Sequence, residues 1–278
     1  MERPAWVGPD IDLSRPSPAR VYDVHLGGAH NFQVDREAAQ RIAEVMPDLP
    51  RILRANRAFL RRAVRFMLSR GIRQFLDLGS GIPTVGNVHE IAQATDPSAR
   101  VVYVDVDAVA VAHSRAILTG NELVNVLQTD VRDAKQVLSS PEVQGLLDFD
   151  EPIGVLMIAL LHFVPDAEDP FGIVADYRDA LPDGSYLAIS HAGFEEGEWN
   201  PAWDEAKVVY DRGVSEMCFR PKREVEAMFD GLELVEPGVC GWLVPPGSTD
   251  ELTAAMREAL TAPPERLAEM GRVGAGRV

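Results

Sequence analysis

The sequence of 278 residues predicts an α/β fold, in which a mostly parallel, doubly wound sheet carries helices on both faces. Three observations lead to this prediction. Five short apolar runs alternate with helical patterns between residues 73 and 190, which is typical of βαβ units. Each run is almost continuously apolar, as strands covered on both faces are. A glycine turn follows the first run directly and leads into a helix, as in many ligand-binding sheets.

The predicted elements follow one another without a long gap and form one domain over residues 20–237. The predicted strands are 73–78, 99–106, 123–129, 153–160 and 185–190, with a sixth at 232–237. The predicted helices are 88–95, 108–118, 134–147, 170–181, about 201–212 and 222–229. Residues 1–19 are rich in proline and are expected to form a flexible lead-in.

An arginine-rich helix is predicted ahead of the sheet. Residues 49–76 contain no acidic residue, and their apolar positions recur every three or four residues until Gly71 ends the pattern. The arginines of this segment are Arg51, Arg54, Arg57, Arg61, Arg62, Arg65, Arg70 and Arg73. Two interpretations are open: a solvated basic face, or a face from which one arginine reaches an anionic ligand.

The composition limits the classes of partner. Because 43 acidic residues outnumber 27 Lys and Arg, the net charge of −16 disfavours nucleic acid or anionic membrane as a partner. Two cysteines, Cys218 and Cys240, are too few for a disulfide framework or a four-thiolate zinc site, and no metal is expected. The first residues lack the apolar core of a signal peptide, and the longest apolar run, 153–164, is too short to span a membrane. We therefore expect a cytoplasmic location.

The glycine turn after the first strand is the strongest candidate site. Gly79 and Gly81 let the backbone approach a ligand closely, and the next helix offers free N–H groups. The third glycine of a dinucleotide fingerprint would fall at position 84, which is Thr84. This departure disfavours a pyrophosphate cradle. Asp77, at the end of the strand, suits a zwitterionic amino-acid group instead.

Carboxylates also follow the second and third strands. Asp105 ends the second strand and can accept hydrogen bonds from both hydroxyls of a ribose, whereas Asp107 is the better candidate for a helix cap. Asp130 follows the third strand and can accept from an adenine amino group while Val131 packs on the ring. Because the carboxyl ends of parallel strands share one edge, these positions predict a nucleoside site.

These motifs resemble those of class I S-adenosylmethionine-dependent methyltransferases, which have a Rossmann-like sheet. The matching stretches are LDLGSG (76–81), YVDVD (103–107) and TDVRD (129–133). More narrowly, residues 17–239 resemble the actinobacterial S-adenosyl methyltransferase family once catalogued as a domain of unknown function. The stretches that carry this resemblance are RVYDVHLGGAHNFQVDREAA (20–39), RANRAFLRRAVRFMLSRGIRQFLDLGSGIPTVGNVHEIAQ (54–93), ALLHFVPD (159–166) and LPDGSYLAISHA (181–192).

The resemblance implies S-adenosylmethionine as cofactor and leaves the methyl acceptor open. It implies that the methionine end lies at Asp77, Gly79, Ser80 and Gly81, the ribose and adenine at Asp105 and Val106, and the adenine at Asp130 and Val131. Arg57 is the candidate for the cofactor carboxylate, because an anionic group calls for a positive partner.

The segment 22–32 is expected to fold over the cofactor as a helical lid, formed by Tyr22, Gly27, Gly28, Asn31 and Phe32, with the two glycines as its flexible point. The alternative is a helix-capping loop in which Tyr22 and Phe32 are packed.

His162 and His191 follow the fourth and fifth strands and are the candidates for a general base, which is needed only if the acceptor must lose a proton. A structural role for each histidine is the alternative. Trp199 and Trp203 are either an acceptor wall or ordinary packing.

Residues 238–278 resemble the C-terminal end of a retaining glycosyltransferase of the two-Rossmann-domain type (GT-B), through GWLVPPG and the helix DELTAAMREAL. None of that family's sugar-nucleotide residues has a counterpart, so we expect a fused tail fragment without a glycosyl-transfer site. If 241–245 do not complete the sheet, its open edge favours association, and a homodimer is one expectation.

Three functions stay open on the sequence. The first is methyl transfer from S-adenosylmethionine to a small-molecule acceptor. The second is a protein that binds S-adenosylmethionine without catalysis, and the third is a nucleotide-sugar or nicotinamide enzyme on the same fold.

Overall fold

The computed structural model describes residues 13–83, 86–195, 199 and 201–235. Its centre is a parallel sheet of five strands in the order β3-β2-β1-β4-β5. The strands are β1 (Gln74–Leu78), β2 (Arg100–Asp105), β3 (Val124–Gln128), β4 (Gly154–Ile158) and β5 (Tyr186–Ser190). Each lies within its predicted range, so the predicted parallel α/β sheet is confirmed.

The apolar runs form strands because alternate side chains fill two separate cores. Phe75, Val101 and Leu156 face one side of the sheet, while Leu76, Val102 and Val155 face the other. β1 is buried along its whole length and pairs with both β2 and β4. β2 and β3 lie on one side of β1, and β4 and β5 lie on the other side. Such a change in the order of the strands, here between β1 and β4, is a switch point that opens a crevice at their carboxyl ends.

From residue 13 onward, where the described part of the chain begins, three helices precede the sheet: α1 (Pro18–His25), α2 (Gln33–Val45) and α3 (Leu49–Ser69). The basic helix α3 packs its apolar stripe, including Leu60, Val64 and Met67, into the first core. Helix α1 is joined to the sheet domain by Arg20, whose buried guanidinium pairs with Asp35 and reaches Asp107 at 3.4 Å.

The crossover helices are α4 (Val88–Thr95), α5 (Ala108–Ile117), α6 (Ala134–Leu138), α7 (Pro141–Gln144) and α8 (Pro170–Asp179), followed by α9 (Ala202–Gly213) and α10 (Lys222–Ala227). The predicted helix 134–147 is divided into α6 and α7, since Ser140 caps a new helix at Pro141. No helix among the described residues is both long and apolar enough to cross a membrane.

The sixth strand predicted at 232–237 is wrong over its described part. The chain turns at Gly231 (φ +83°), and residues 232–235 lie outside the sheet. A second, two-stranded parallel pair occurs instead, formed by β6 (Gly193–Phe194) and β7 (Arg220–Pro221). The glycosyltransferase-like tail, 238–278, lies outside the described residues.

Candidate functional site

The glycine turn between β1 and α4 is bonded to the end of β2. Gly79 and Gly81 have φ of +68° and +66°, a backbone that favours glycine. The amides of Gly79 and Ser80 donate to the carbonyl of Val104 at 2.8 and 3.1 Å. The Gly81 amide donates to Oδ2 of Asp105 at 2.6 Å. The turn therefore brings the predicted methionine and ribose residues together at one edge of the sheet.

Asp77 faces a pocket that Arg57, Ser80 and Gly81 also line. The carboxylate is buried, and no described residue donates a hydrogen bond to it. Burial raises the pKa of Asp77 to about 7, although the positive charge of Arg57 opposes the shift. Arg57 donates to the carbonyl of Gly86 at 2.9 Å, which fixes its guanidinium at the pocket. One anionic and one cationic group thus border the same space.

Asp105 is buried at the end of β2, and its two carboxylate oxygens accept from different amides. Oδ2 accepts from Gly81, and Oδ1 accepts from Asp107 at 2.8 Å. Burial raises the pKa of Asp105 to about 6, against the effect of these amides. Asp107 caps α5 through the amides of Val109 and Ala110, as predicted. The next residue after Asp105, Val106, is 66% exposed and offers an apolar surface.

Asp130 follows β3 at the same edge, but its carboxylate is already engaged. Arg132 donates through Nε to both oxygens of Asp130 at 2.9 and 3.0 Å, and also pairs with Glu168. The hydrogen bonds from Arg132 lower the pKa of Asp130. Val131 is buried, and its carbonyl accepts from the hydroxyl of Tyr177 at 2.8 Å. An adenine contact by Asp130 would have to share the carboxylate with Arg132.

The predicted lid is the end of α1 and the turn into α2. Tyr22 lies within α1, and Phe32 is the residue before α2. Gly27 has φ +80°, and a β-carbon on Gly28 would lie 1.9 Å from Oδ1 of Asp23. The Asp23 carboxylate also accepts from the amide of His30 and from Nδ2 of Asn31, each at 2.9 Å. The two glycines therefore allow a tightly bonded turn, and their role as the flexible point of a lid stays a prediction.

Both predicted histidine bases are held by protein groups. Nε2 of His191 accepts from Arg220 at 2.8 Å, so the proton lies on Nδ1, which donates to the carbonyl of Ala192 at 2.8 Å. Nδ1 of His162 accepts from the amide of Ala192 at 3.3 Å. Burial lowers the pKa of His191 to about 4 and that of His162 well below its usual value. The structure therefore favours the structural alternative for both.

Arg220 is the residue that organises this region, and no sequence pattern marked it. It is 2% exposed, and its guanidinium donates to the carbonyls of Leu161 and Val164 at 2.9 and 2.8 Å. It also pairs with Asp166. Trp203 is buried and stacked on Phe219 with ring centroids 5.7 Å apart, which favours packing over an acceptor wall for this residue.

Tyr103 and His89 also border the pocket and were not predicted as site residues. Tyr103 lies beside Asp77 in the register of β1 and β2. Its hydroxyl accepts from the amide of His89 at 2.8 Å and pairs with Nδ1 of the same residue. Burial raises the pKa of Tyr103, and the Asp77 charge adds to this. The register of two adjacent strands was the signal that could have identified Tyr103.

Comparison with known proteins places the chain in a family. The model of a family described as S-adenosyl methyltransferase matches residues 4–259. A protein of Thermobifida fusca YX, solved as a candidate methyltransferase, is 40% identical with a TM-score of 0.79, over 84% of this chain and 87% of that one. A DUF574 family protein of Streptomyces avermitilis MA-4680 is 38% identical with a TM-score of 0.78, over 86% of this chain and 92% of that one.

The family match starts earlier and ends later than the resemblance over 17–239 suggested. It runs into the segment 238–278, and the comparisons give no support to the glycosyltransferase resemblance of that segment. The division of the chain at residue 237 stays a prediction. A search of curated proteins found no match.

Three observations point to the same family: the length of the match to the family model, the identity to two solved relatives, and the parallel sheet with its glycine turn. This chain therefore belongs to the family of S-adenosyl methyltransferases, with a Rossmann-like class I fold and S-adenosylmethionine as its cofactor.

Proposed function

We propose that this chain catalyses methyl transfer from S-adenosylmethionine to a small-molecule acceptor, with the cofactor bound at the carboxyl edge of the sheet. The observation that carries the proposal is the pair of buried carboxylates, Asp77 and Asp105, on either side of the glycine turn. A cofactor with an ammonium group at one end and a ribose in the middle fits such a pair.

The methionine end is assigned to the pocket of Asp77 and Arg57. A buried carboxylate to which no described residue donates a hydrogen bond is costly, and an ammonium group would supply both charge and donors. Arg57 lines the same pocket and would pair with the cofactor carboxylate. Ser80 and Gly81 complete the wall of the pocket. These residues fit a zwitterion better than a phosphate, because Asp77 would repel an anion.

The nucleoside end is assigned to Asp105 and Val106. Each oxygen of Asp105 accepts one amide and keeps capacity for a ribose hydroxyl. Val106 is exposed beside it and would pack on the adenine ring. Asp130 and Val131 stand at the next strand end, where Asp130 would contact the adenine only while it shares its carboxylate with Arg132.

Positioning is the main contribution that this chain can make to the reaction. The bound cofactor supplies an electrophilic methyl group on a sulfonium, and transfer requires the acceptor to be aligned with it. Asp77, Arg57 and Asp105 would fix the two ends of the cofactor. Neither histidine presents an unoccupied basic nitrogen, so we propose an acceptor that attacks through an available lone pair, or that loses its proton to solvent.

A thermal-shift comparison tests the cofactor site. S-adenosylhomocysteine, a nicotinamide dinucleotide and a nucleotide diphosphate-sugar are each added to the full chain. We expect only S-adenosylhomocysteine to raise the melting temperature, because a ligand that binds the folded state stabilises it. Stabilisation by the dinucleotide alone would overturn the proposal.

Turnover separates an enzyme from a protein that only binds the cofactor. The full chain is incubated with S-adenosylmethionine and a panel of small molecules that carry hydroxyl, amine or thiol groups, and the formation of S-adenosylhomocysteine is measured. A small-molecule acceptor agrees with the net charge of −16, which disfavours polyanions. Methylation of a nucleic acid and of no small molecule would contradict the proposed acceptor class.

A further inference from the structure

Three hydrogen bonds link helix α1 to the ends of β4 and β5, and a fourth joins α1 to α3. The amide of Ala159 donates to Oγ of Ser190 at 2.9 Å, and this hydroxyl donates to Oδ1 of Asn56 at 2.6 Å. Nδ2 of Asn56 donates to the hydroxyl of Tyr22 at 3.1 Å, which donates to the carbonyl of Leu53 at 3.2 Å. The hydroxyl groups of Ser190 and Tyr22 each accept one hydrogen bond and donate one, so the donor and the acceptor of every bond in the series are determined. We call it the Ser190–Tyr22 network.

The network ends on a residue with an unusual backbone. Ala159 has φ +56°, and Asp169 is the other non-glycine residue with positive φ in the described part of the chain. A side chain in this region costs free energy, and such a residue persists only when its surroundings hold it there. The amide of Ala159 also donates to the carbonyl of Ser190 at 3.2 Å. Ser190 therefore holds this amide through both its main chain and its side chain.

The backbone of Ala159 determines where the next side chain lies. Leu160 follows directly, and its Cδ1 atom is 2.5 Å from the position of a β-carbon built on Gly79. Leu160 thus lies against the glycine turn, across the switch point between β1 and β4. A change of Ala159 to a negative φ would rotate the chain at this point and move Leu160 away from Gly79.

We propose that Ser190 and Asn56 are positioning residues, which hold Ala159 in its left-handed backbone and thereby keep Leu160 against the glycine turn of the cofactor site. The proposal rests on the proposed function only in placing the cofactor at that turn. It assigns a role to the basic helix α3 beyond packing, since Asn56 connects the helix to the strand ends. Through the bond from Asn56 to Tyr22, it also makes the position of Tyr22 in α1 depend on the shape of the cofactor crevice.

A merely structural role would lower the stability of the fold without acting specifically on the crevice. A matched control exists within the same pair of strands. Oγ of Ser185 accepts from the amide of Ile153 at 3.0 Å, an equivalent bond at the amino ends of β4 and β5, away from the glycine turn. Ser185→Ala therefore removes the same kind of bond without touching Ala159.

The experiment combines Ser190→Ala with Ala159→Gly in the full chain and measures S-adenosylhomocysteine affinity by calorimetry. We expect Ser190→Ala to weaken binding by about tenfold, because Ala159 is then free to leave its left-handed backbone. The free energy of holding a non-glycine residue in that backbone corresponds to about that factor. Because glycine has no preference against positive φ, Ala159→Gly alone is expected to stay within about threefold of the wild type, and the double variant to return to that level. Asn56→Ala is expected to behave like Ser190→Ala and to be rescued in the same way.

Two results would overturn the proposal: a double variant as weak as Ser190→Ala, or an equal loss of affinity in Ser185→Ala. A measurement without ligand keeps the test independent of the proposed function. In methyl NMR spectra of the free protein, the Leu160 methyl contacts to the Gly79 α-protons should be lost in Ser190→Ala and return in the double variant. If the wild type binds no S-adenosylhomocysteine, the proposed function fails while these spectra still decide the positioning role.

Discussion

The side chain of Leu160 occupies the space in which Gly79 would carry a β-carbon, with Cδ1 2.5 Å from that position. A β-carbon is essentially never found so close to another atom, so any larger residue at position 79 would force the side chain of Leu160 to shift. It joins the turn after β1 to the chain after β4, which are the two sides of the switch point. The size of both residues therefore shapes the proposed cofactor crevice.

Gly79→Ala should weaken S-adenosylhomocysteine binding by at least about tenfold, because the new methyl group must displace Leu160 and the backbone has positive φ. Calorimetry on the purified variant measures this. Gly120→Ala is the control: Gly120 has φ +90° and no atom within 4 Å of a built β-carbon. It should lower stability through backbone strain alone and leave the affinity unchanged. Equal losses of affinity in both variants would contradict the prediction.

Asp77→Asn should stabilise the ligand-free protein and weaken the binding of S-adenosylhomocysteine. Burial raises the folded-state pKa of Asp77 from 3.8 to about 7. Between these values the folded protein holds a proton that the unfolded chain releases, so this group lowers stability as pH rises from about 4 to about 7. We expect Asp77→Asn to melt at least about 2 °C higher than the wild type at pH 8, with a smaller difference at pH 5 that closes toward pH 4.

Asp183→Asn makes the same charge change at an exposed position and is the control for those melting curves. The affinity of the wild type for S-adenosylhomocysteine should rise from pH 5.5 to 7.5, as Asp77 becomes available in its ionised form for an ammonium group. In Asp77→Asn this rise should be reduced. An unchanged pH dependence would remove Asp77 from the methionine end.

Asp105→Ala should weaken S-adenosylhomocysteine binding by about tenfold or more, because the ribose hydroxyls lose their acceptor. The comparison variant is Asp107→Ala, which removes the cap of α5. That variant should cost about 1 kcal/mol of stability while affinity stays within about threefold. Unchanged affinity in Asp105→Ala would exclude the ribose assignment.

Arg220→Met should destabilise the fold by about 3 kcal/mol, because the buried carbonyl of Val164 loses its arginine donor and that of Leu161 keeps only the amide of Val164. This corresponds to a decrease of about 6–12 °C in melting temperature. Lys207→Met removes one exposed pair with Asp211 and the same charge, and should change stability by about 0.5 kcal/mol or less. A decrease no greater than that of Lys207→Met would show that Arg220 is not the centre of this region.

The sheet could be predicted from the sequence because its strands are buried on both faces. A short run that is almost continuously apolar is stable as a strand covered by helices on both faces, and β1 and β4 show this most clearly. The cap at Asp107 was equally accessible, since the capping side chain bonds amides only two and three residues later. The failed strand at 232–235 had the composition of a strand, but no neighbouring strand pairs with it in the described chain.

The positions of Asp77 and Asp105 could be predicted because one strand end determines each of them, while their roles toward the cofactor stay predictions. The candidate site was not predicted where distant residues meet. His191 stands at a strand end as expected, yet Arg220 occupies its Nε2, and that residue lies 29 positions further along the chain. Asp130 was assigned to adenine, while Arg132, two residues later, takes up its carboxylate. Such partners depend on side-chain geometry that hydrophobic periodicity does not encode.

The bond between Asn56 and Ser190 joins residues 134 positions apart. Contacts of such long sequence separation form late in folding, because the intervening chain must first be ordered. On the ribosome the amino-terminal residues emerge first, so Asn56 can bond to Ser190 only after β5 has been synthesised. The nascent protein therefore cannot complete its cofactor crevice before β5 is synthesised, and capture of the cofactor in the completed crevice follows that point.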